Sequence, residues 1–150
     1  MMADLDLSQS EADALIAIEK VRTSDDEHDL PSLGGKLSLP LQSRDGRDAF
    51  MLDIHRGRID LKKGTYQNRA KQVVPLVRLD FGGPPHTNPD GETIETPHIH
   101  VYREGFGDKW AQPLDPDFCD DPEDVMALLR AFFSYCAIVE PPKLREGLWA

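Results

Sequence analysis

The chain has 150 residues, of which 39% are apolar and 29% are charged, a composition typical of one globular domain and not of a disordered chain. Two cysteines are too few for a disulfide framework, and no apolar run approaches the ~20 residues that cross a bilayer. Since no charged-then-apolar leader opens the sequence, we expect a cytoplasmic protein without membrane contact.

The first predicted elements are a helix and an acidic loop. Ser8 and Glu11 have the spacing of a capping box and open a helix predicted over residues 8–22. The segment 23–35 is charged and is then interrupted by Pro31 and two glycines, which predicts a loop.

From Lys36 onward the apolar residues follow the two-residue period of β-strands. An Asp-Gly pair at residues 45–46 predicts a hairpin turn between the first two of these strands. The five predicted strands cover residues 36–41, 50–54, 58–62, 73–81 and 98–103.

A last helix is predicted from about Asp121 to Ala137, because its apolar residues follow helical spacing. The elements together predict an α+β fold, in which an antiparallel sheet of about five strands carries an N-terminal and a C-terminal helix. We expect a single domain over residues 1–150, with a core of about residues 8–138 and a C-terminal tail over residues 139–150.

The net charge of −10 is unevenly distributed along this fold. Residues 1–30 hold nine acidic and two basic residues, and residues 114–150 hold eight acidic and three basic ones. Residues 31–81 instead hold ten basic and five acidic residues. Because an acidic surface repels phosphates, RNA is expected to bind only this basic middle. Pairing of the acidic ends with the basic middle inside one folded chain is the alternative.

The last predicted strand, which we call the histidine strand, carries the residues best suited to acid–base chemistry. His98, His100 and Tyr102 occupy alternate positions and are expected to share an exposed face, while Ile99 and Val101 face the core. Two imidazoles and a phenol on one face can exchange protons near neutral pH. A solvated face without a catalytic role is the alternative.

A long loop precedes the histidine strand. Residues 82–97 are rich in glycine, proline, asparagine and aspartate, and loops of this length in small domains are usually functional or disordered. Its prolines restrict the backbone around His86. If the loop folds back over the sheet, His86 and Asp90 are expected to join His98 and His100.

A second candidate surface, the basic stretch, lies in the middle of the chain. Guanidinium groups bind two phosphate oxygens at once, and an exposed tyrosine ring can stack on a base. An edge strand protected by charge is the alternative explanation of this pattern. The residues expected to bind RNA phosphates are Arg56, Arg58, Lys62, Lys63, Tyr66 and Arg69, with Arg103 added from the histidine strand.

Three functions are open at this point. The first is a metal-independent endoribonuclease that uses His98, His100, His86 and Tyr102 with the basic stretch, and needs no cofactor. The second is a non-catalytic protein-binding module. The third is a small metal-binding protein, because His98, His100 and Glu104 have a ligand spacing similar to that of the first cupin motif.

Two resemblances bear on these alternatives. The segments 79–91 and 97–105 resemble those of an uncharacterised family of small bacterial proteins, over most of residues 46–137. More distantly, Arg78-x-Asp80, the Pro-Pro-His turn at His86 and the Pro-His-x-His of the histidine strand resemble the TumE type of toxin. This resemblance implies an α+β ribonuclease-like toxin of a toxin–antitoxin or phage-defence system. It also implies a protein partner, an antitoxin or another defence component, that inhibits the toxin.

Overall fold

The computed structural model describes residues 6–58 and 62–145. Its first helix, α1, covers Gln9–Ala17, and the predicted capping box between Ser8 and Glu11 is confirmed. The helix ends earlier than the predicted residue 22, because the chain after it pairs with a sheet. No helix of the described residues is long and apolar enough to cross a membrane.

The second helix, α2, covers Val125–Tyr135. Its N-cap is Asp124, whose side chain accepts hydrogen bonds from the backbone N–H groups of Met126 and Ala127. The predicted start at Asp121 was three residues too early, since the carbonyl of that residue accepts from Asp124 within the preceding turn.

Twelve strands occur in the described part of the chain. They are β1 (Lys20–Arg22), β2 (Glu27–Asp29), β3 (Lys36–Ser43), β4 (Ala49–Arg56), β5 (Gly64–Ala70), β6 (Val74–Phe81), β7 (His86–Thr87), β8 (Thr93–Ile94), β9 (His98–Val101), β10 (Ala111–Pro113), β11 (Ile138–Glu140) and β12 (Lys143–Arg145).

Eight of these strands form one sheet in the order β10-β9-β6-β5-β4-β3-β1-β11. Neighbours are antiparallel except β1 and β11, which pair in parallel at one end. Two small sheets join β2 with β12 in parallel and β7 with β8 as a hairpin. The α+β class is therefore confirmed, while the expectation of about five antiparallel strands is wrong because the sheet is larger and mixed.

Four predicted strands correspond to β3, β4, β6 and β9. Residues 59–61 of the remaining predicted strand lie outside the described residues. Strand β5 was missed because its sequence, GTYQNRA, has only one large apolar side chain, Tyr66. The predicted tail contains β12, and the predicted loop over residues 23–35 contains β2; these two strands pair with each other.

One face of the sheet and the two helices enclose the core. Tyr66, Leu79 and Ile99 lie opposite one another on β5, β6 and β9, and each is at most 2% exposed. The Tyr66 ring packs 6.0 Å from that of Phe132 on α2, and its hydroxyl donates to the carbonyl of Val125. This packing fixes which residues of each strand face the core, and therefore which face the other side.

Polar residues on the other face of the sheet form two rows across four strands. Their register is set by backbone pairing, which places the side chains of each row next to one another. The rows are His55-Thr65-Asp80-His98 and Asp53-Gln67-Arg78-His100.

The two cysteines differ in exposure, which gives a first testable prediction. Cys136 is fully buried, and burial raises the pKa of its thiol to about 12, whereas Cys119 is partly exposed. Since the thiolate is the reactive form, the folded protein is expected to take up about one equivalent of N-ethylmaleimide, at Cys119, and a second only after unfolding. Mass spectrometry measures both steps, and rapid double labelling of folded protein would contradict the buried position of Cys136.

Candidate functional site

The end of the polar rows nearest β9 forms a compact group, which we call the histidine cluster: Arg78, Asp80, His86, His98 and His100. Asp80 Oδ2 lies 3.1 Å from His98 Nε2 and 3.2 Å from His100 Nε2. Arg78 Nε lies 3.2 Å from the same oxygen, and an Arg78 terminal nitrogen lies 2.9 Å from His100 Nε2. One carboxylate oxygen is therefore shared by two imidazoles and a guanidinium.

The other nitrogen of each of these two imidazoles faces a backbone carbonyl. His100 Nδ1 lies 2.7 Å from the carbonyl oxygen of Asp108, and His98 Nδ1 lies 3.2 Å from that of Glu95. Because a carbonyl only accepts, Nδ1 carries the hydrogen in each ring, and Nε2 of the neutral ring has a free lone pair. At His98 that lone pair would face an anionic oxygen, so the contact requires a proton on Nε2 or a cation between the two atoms.

The loop over residues 82–97 folds back as predicted and brings His86 to the cluster. Its ring centre lies 4.6 Å from that of His100 and 6.0 Å from that of His98, and its Nε2 donates to the carbonyl of Lys109 at 2.7 Å. Asp90 stays in the β7–β8 turn, where it accepts from the backbone of Glu92. The expectation that the loop joins the histidines is thus confirmed for His86 only.

The electrostatics of the cluster favour a charged Asp80. Burial alone raises the pKa of this carboxyl, but contacts with the two imidazoles, the charge of Arg78 and the hydroxyl of Thr65 act in the opposite direction and dominate. The pKa of Asp80 consequently lies far below its ordinary value of 3.8. Arg78 is held in place by a second carboxylate, that of Asp108, at 2.7 Å.

The histidines are not on an exposed face. His98 is 2% and His100 is 0% exposed, so the predicted solvent-facing histidine strand is wrong in this respect. The alternation itself is correct, since Ile99 faces the core. The histidine face is covered because the ring of His86 lies over the histidines, and because Asp108 contacts His100 and Arg78 from the segment between β9 and β10.

Tyr102, predicted to share the histidine face, and Glu104, predicted as a third metal ligand, are placed elsewhere. Strand β9 ends at Val101, so the alternation does not continue. The hydroxyl of Tyr102 accepts from the N–H of Leu7 and donates to its carbonyl, and Tyr102 packs in the core. Glu104 accepts from the N–H of Gln9. The carboxylate beside the two histidines is that of Asp80 and not that of Glu104.

Half of the basic stretch, Arg56, Tyr66 and Arg69, is engaged within the protein. Tyr66 is fully buried, and this burial raises the pKa of its phenol well above its ordinary value. Arg69 binds both carboxylate oxygens of Asp53 at 2.6 and 2.8 Å, while Arg56 is 4% exposed and donates to the carbonyl of Pro31. Tyr66 and Arg56 are therefore buried and not on an exposed surface, and Arg69 is held by Asp53.

The remaining basic residues are exposed and lie apart in different settings. Lys62 pairs with Glu123 at 3.7 Å, and the guanidinium of Arg103 stacks 4.2 Å from the ring centre of Trp110. Arg58 packs near Gly34. Lys63 lines a cleft of about 220 Å³ that reaches Asp80 and is also bordered by His55, Thr65, Pro84 and Thr96.

Three members of the site were not among the residues selected from the sequence. Arg78 and Asp80 were noted only through the resemblance, and their signal is that two polar residues alternate on an otherwise apolar strand. Asp108 has no such signal, since a loop brings it to Arg78. The register of β6 against β9 places Arg78 next to His100 and Asp80 next to His98. This register cannot be read from the sequence alone.

The fold and the site define an α+β protein with a partly buried carboxylate–histidine–arginine cluster at one end of a mixed sheet. The chain belongs to a family of unknown function, DUF6978, whose model matches residues 7–138. Searches of curated proteins and of solved structures gave no significant match. The comparisons therefore support the expected uncharacterised family and add no support for the resemblance to TumE-type toxins.

Proposed function

We propose that this protein binds a divalent transition-metal ion through Asp80, His98 and His100. The observation that carries the proposal is that one ligand atom from each residue lies within 4.8 Å of the other two. Ligand atoms around a tetrahedral ion, at bond lengths of about 2.0–2.2 Å, are separated by roughly 3.3–3.6 Å. The Nε2–Oδ2 distances of 3.1 and 3.2 Å are close to this spacing.

The chemistry of the three groups supports the same conclusion. Two imidazoles and a carboxylate suit zinc, iron or manganese. Metal-binding histidines usually donate their second N–H to a carbonyl or carboxylate, which fixes the ring and directs the free lone pair at the ion. His98 and His100 both have such a carbonyl, and Asp80 is already ionised, as a ligand must be.

Arg78 determines what else has to happen when an ion binds. Its guanidinium contacts both Asp80 and His100, so it provides the positive charge between these groups. Two cations in this small space would repel each other. A bound ion therefore has to displace the Arg78 guanidinium from Asp80 and His100. The ion pair with Asp108 gives the displaced guanidinium a partner.

The test is a calorimetric titration of chelator-treated full-length protein with Zn²⁺, Co²⁺ and Mn²⁺. Wild-type protein is expected to bind about one equivalent, and His98→Gln is expected to bind at least about 100-fold more weakly, since loss of a ligand costs more than loss of an outer partner. Arg78→Gln removes the competing cation and should bind more tightly than wild type. His55→Gln, an exposed histidine on the same sheet face, should bind as wild type does.

Folding of each variant is checked by circular dichroism before the titration. Equal binding by wild type and His98→Gln would place the ion elsewhere and contradict the proposal. So would weaker binding by a folded Arg78→Gln protein, because a displaced arginine cannot be needed for affinity.

Metal-independent RNA cleavage stays a prediction with less structural support, because His98 and His100 are only 2% and 0% exposed and offer a phosphodiester little surface to contact. Incubation with total cellular RNA, with and without chelator, tests it on the same proteins. Cleavage that survives chelator and is lost in His98→Gln would favour the ribonuclease over the metal centre.

A further inference from the structure

A groove separate from the histidine cluster lies between the β8 region and the segment after β10. Its volume is about 490 Å³. Proline rings and aliphatic side chains form its floor, and proline fixes its own backbone, so this surface is largely preformed. The apolar lining residues are Ile94, Pro97, Pro113, Leu114, Pro116 and Pro122.

The charged residues that line this groove are all acidic. They are Glu92, Glu95 and Asp115, and none of them forms an ion pair within the described residues. The segment 111–129 behind one wall adds five acidic residues besides Asp115 and no basic one. The electrostatic potential in the groove is therefore negative. Many acidic residues elsewhere in the protein are instead in ion pairs with basic residues.

We propose that this groove binds a segment of a partner protein in which basic and apolar side chains alternate. An apolar floor gains free energy only from apolar side chains, and an unpaired acidic rim selects cationic ones. In an extended segment alternate residues point in opposite directions, so one set can contact the floor while the other stays near the rim. Nucleic acid is disfavoured because its phosphates would meet three carboxylates.

The probe is a short synthetic peptide of alternating leucine and arginine, measured by fluorescence anisotropy against full-length protein. Binding should weaken as salt rises, since the rim charges are exposed. The variant Glu92→Gln/Glu95→Gln/Asp115→Asn is expected to bind at least about tenfold more weakly. A matched variant, Glu19→Gln/Asp26→Asn/Glu140→Gln, removes three charges beside β1 and β11 at the opposite edge of the sheet and should bind like wild type.

Cys119 gives an independent footprint because it lines the groove, while Cys136 is buried and silent. Bound leucine–arginine peptide should slow alkylation of Cys119, and the peptide with glutamate in place of arginine should not. A peptide of alternating serine and arginine should bind more weakly, since it lacks apolar contacts. Equal binding of the serine peptide, equal loss in both charge variants, or no protection of Cys119 would each overturn the proposal.

Discussion

Replacement of Asp80 by asparagine is expected to lower the free energy of unfolding by about 3 kcal/mol, the lower end of the range found when one partner of a buried ion pair is removed, because the Asp80 and Arg78 side chains are 22% and 27% exposed. One Asp80 oxygen lies within 3.2 Å of nitrogens of His98, His100 and Arg78, and Thr65 donates to its second oxygen at 2.9 Å. The asparagine keeps the shape and removes the charge, so the guanidinium loses one of its two anionic partners. Urea unfolding at neutral pH, without added metal, measures the loss.

The same carboxylate should make the protein sensitive to acid. Its pKa in the folded state lies below the ordinary value of 3.8, so below about that pH the unfolded chain binds a proton that the folded chain does not. The stability that Asp80 provides is present above this pH and is lost as the pH falls below it. The Asp80→Asn protein should lose less stability between neutral pH and about pH 3 than wild type does.

The control for both measurements is Asp26→Asn, which changes an exposed carboxylate without an ion pair in the described structure. It should unfold at nearly the same urea concentration as wild type at each pH. If Asp80→Asn behaves like this control, Asp80 is not the electrostatic centre of the cluster, and the arrangement of imidazoles around it has another cause.

Local sequence patterns predicted the elements that have local causes. The capping box at Ser8 needs only residues within one helical turn, and the alternation around His98 needs only one strand. The return of the loop that carries His86 was an expectation conditional on folding, and it is confirmed. The capping box and the alternation depend only on neighbours in the chain, which is why a single sequence specifies them.

What could not be predicted depends on contacts between distant segments. Asp80 meets His98 because β6 pairs with β9 in one register, and a shift by one residue would turn the aspartate toward the core. The burial of His98 and His100 depends on a loop that covers them. The short strands β11 and β12 pair in parallel with segments more than a hundred residues away. Each has only three residues, which is too few for an alternating pattern to be recognised in the sequence.

The second large effect is expected at Lys20, where substitution by methionine should cost about 2–4 kcal/mol, since each buried acceptor left without a donor costs about 1–3 kcal/mol. Lys20 is fully buried on β1, and its ammonium donates to the carbonyls of Ile16, Ile18 and Cys136 at 2.9, 3.0 and 2.7 Å. These carbonyls belong to the C-terminal ends of α1 and α2. One side chain therefore joins the C-terminal ends of both helices to strand β1, and its positive charge lies at the end of each helix where the helix dipole favours a cation.

The titration of Lys20 should make its contribution to the unfolding free energy depend on pH, which a packing role alone would not do. Burial lowers the pKa of the ammonium from 10.5 to about 8, so between these values the unfolded chain retains a proton that the folded chain has released. The Lys20 contribution to stability therefore rises with pH through this window. Cys136 acts in the opposite direction above about pH 9, because its thiol pKa is raised to about 12, and its contribution largely cancels when two proteins that both retain it are compared.

Urea unfolding of wild type, Lys20→Met and Lys36→Met between pH 7 and pH 10 tests this prediction. Lys36 lies exposed on β3 and serves as the matched control, with little effect expected at any pH. The difference in unfolding free energy between wild type and Lys20→Met should grow above about pH 8, because only wild type releases the proton on folding. A difference that stays constant with pH would mean that Lys20 is not desolvated in solution and that the two helix ends are satisfied in another way.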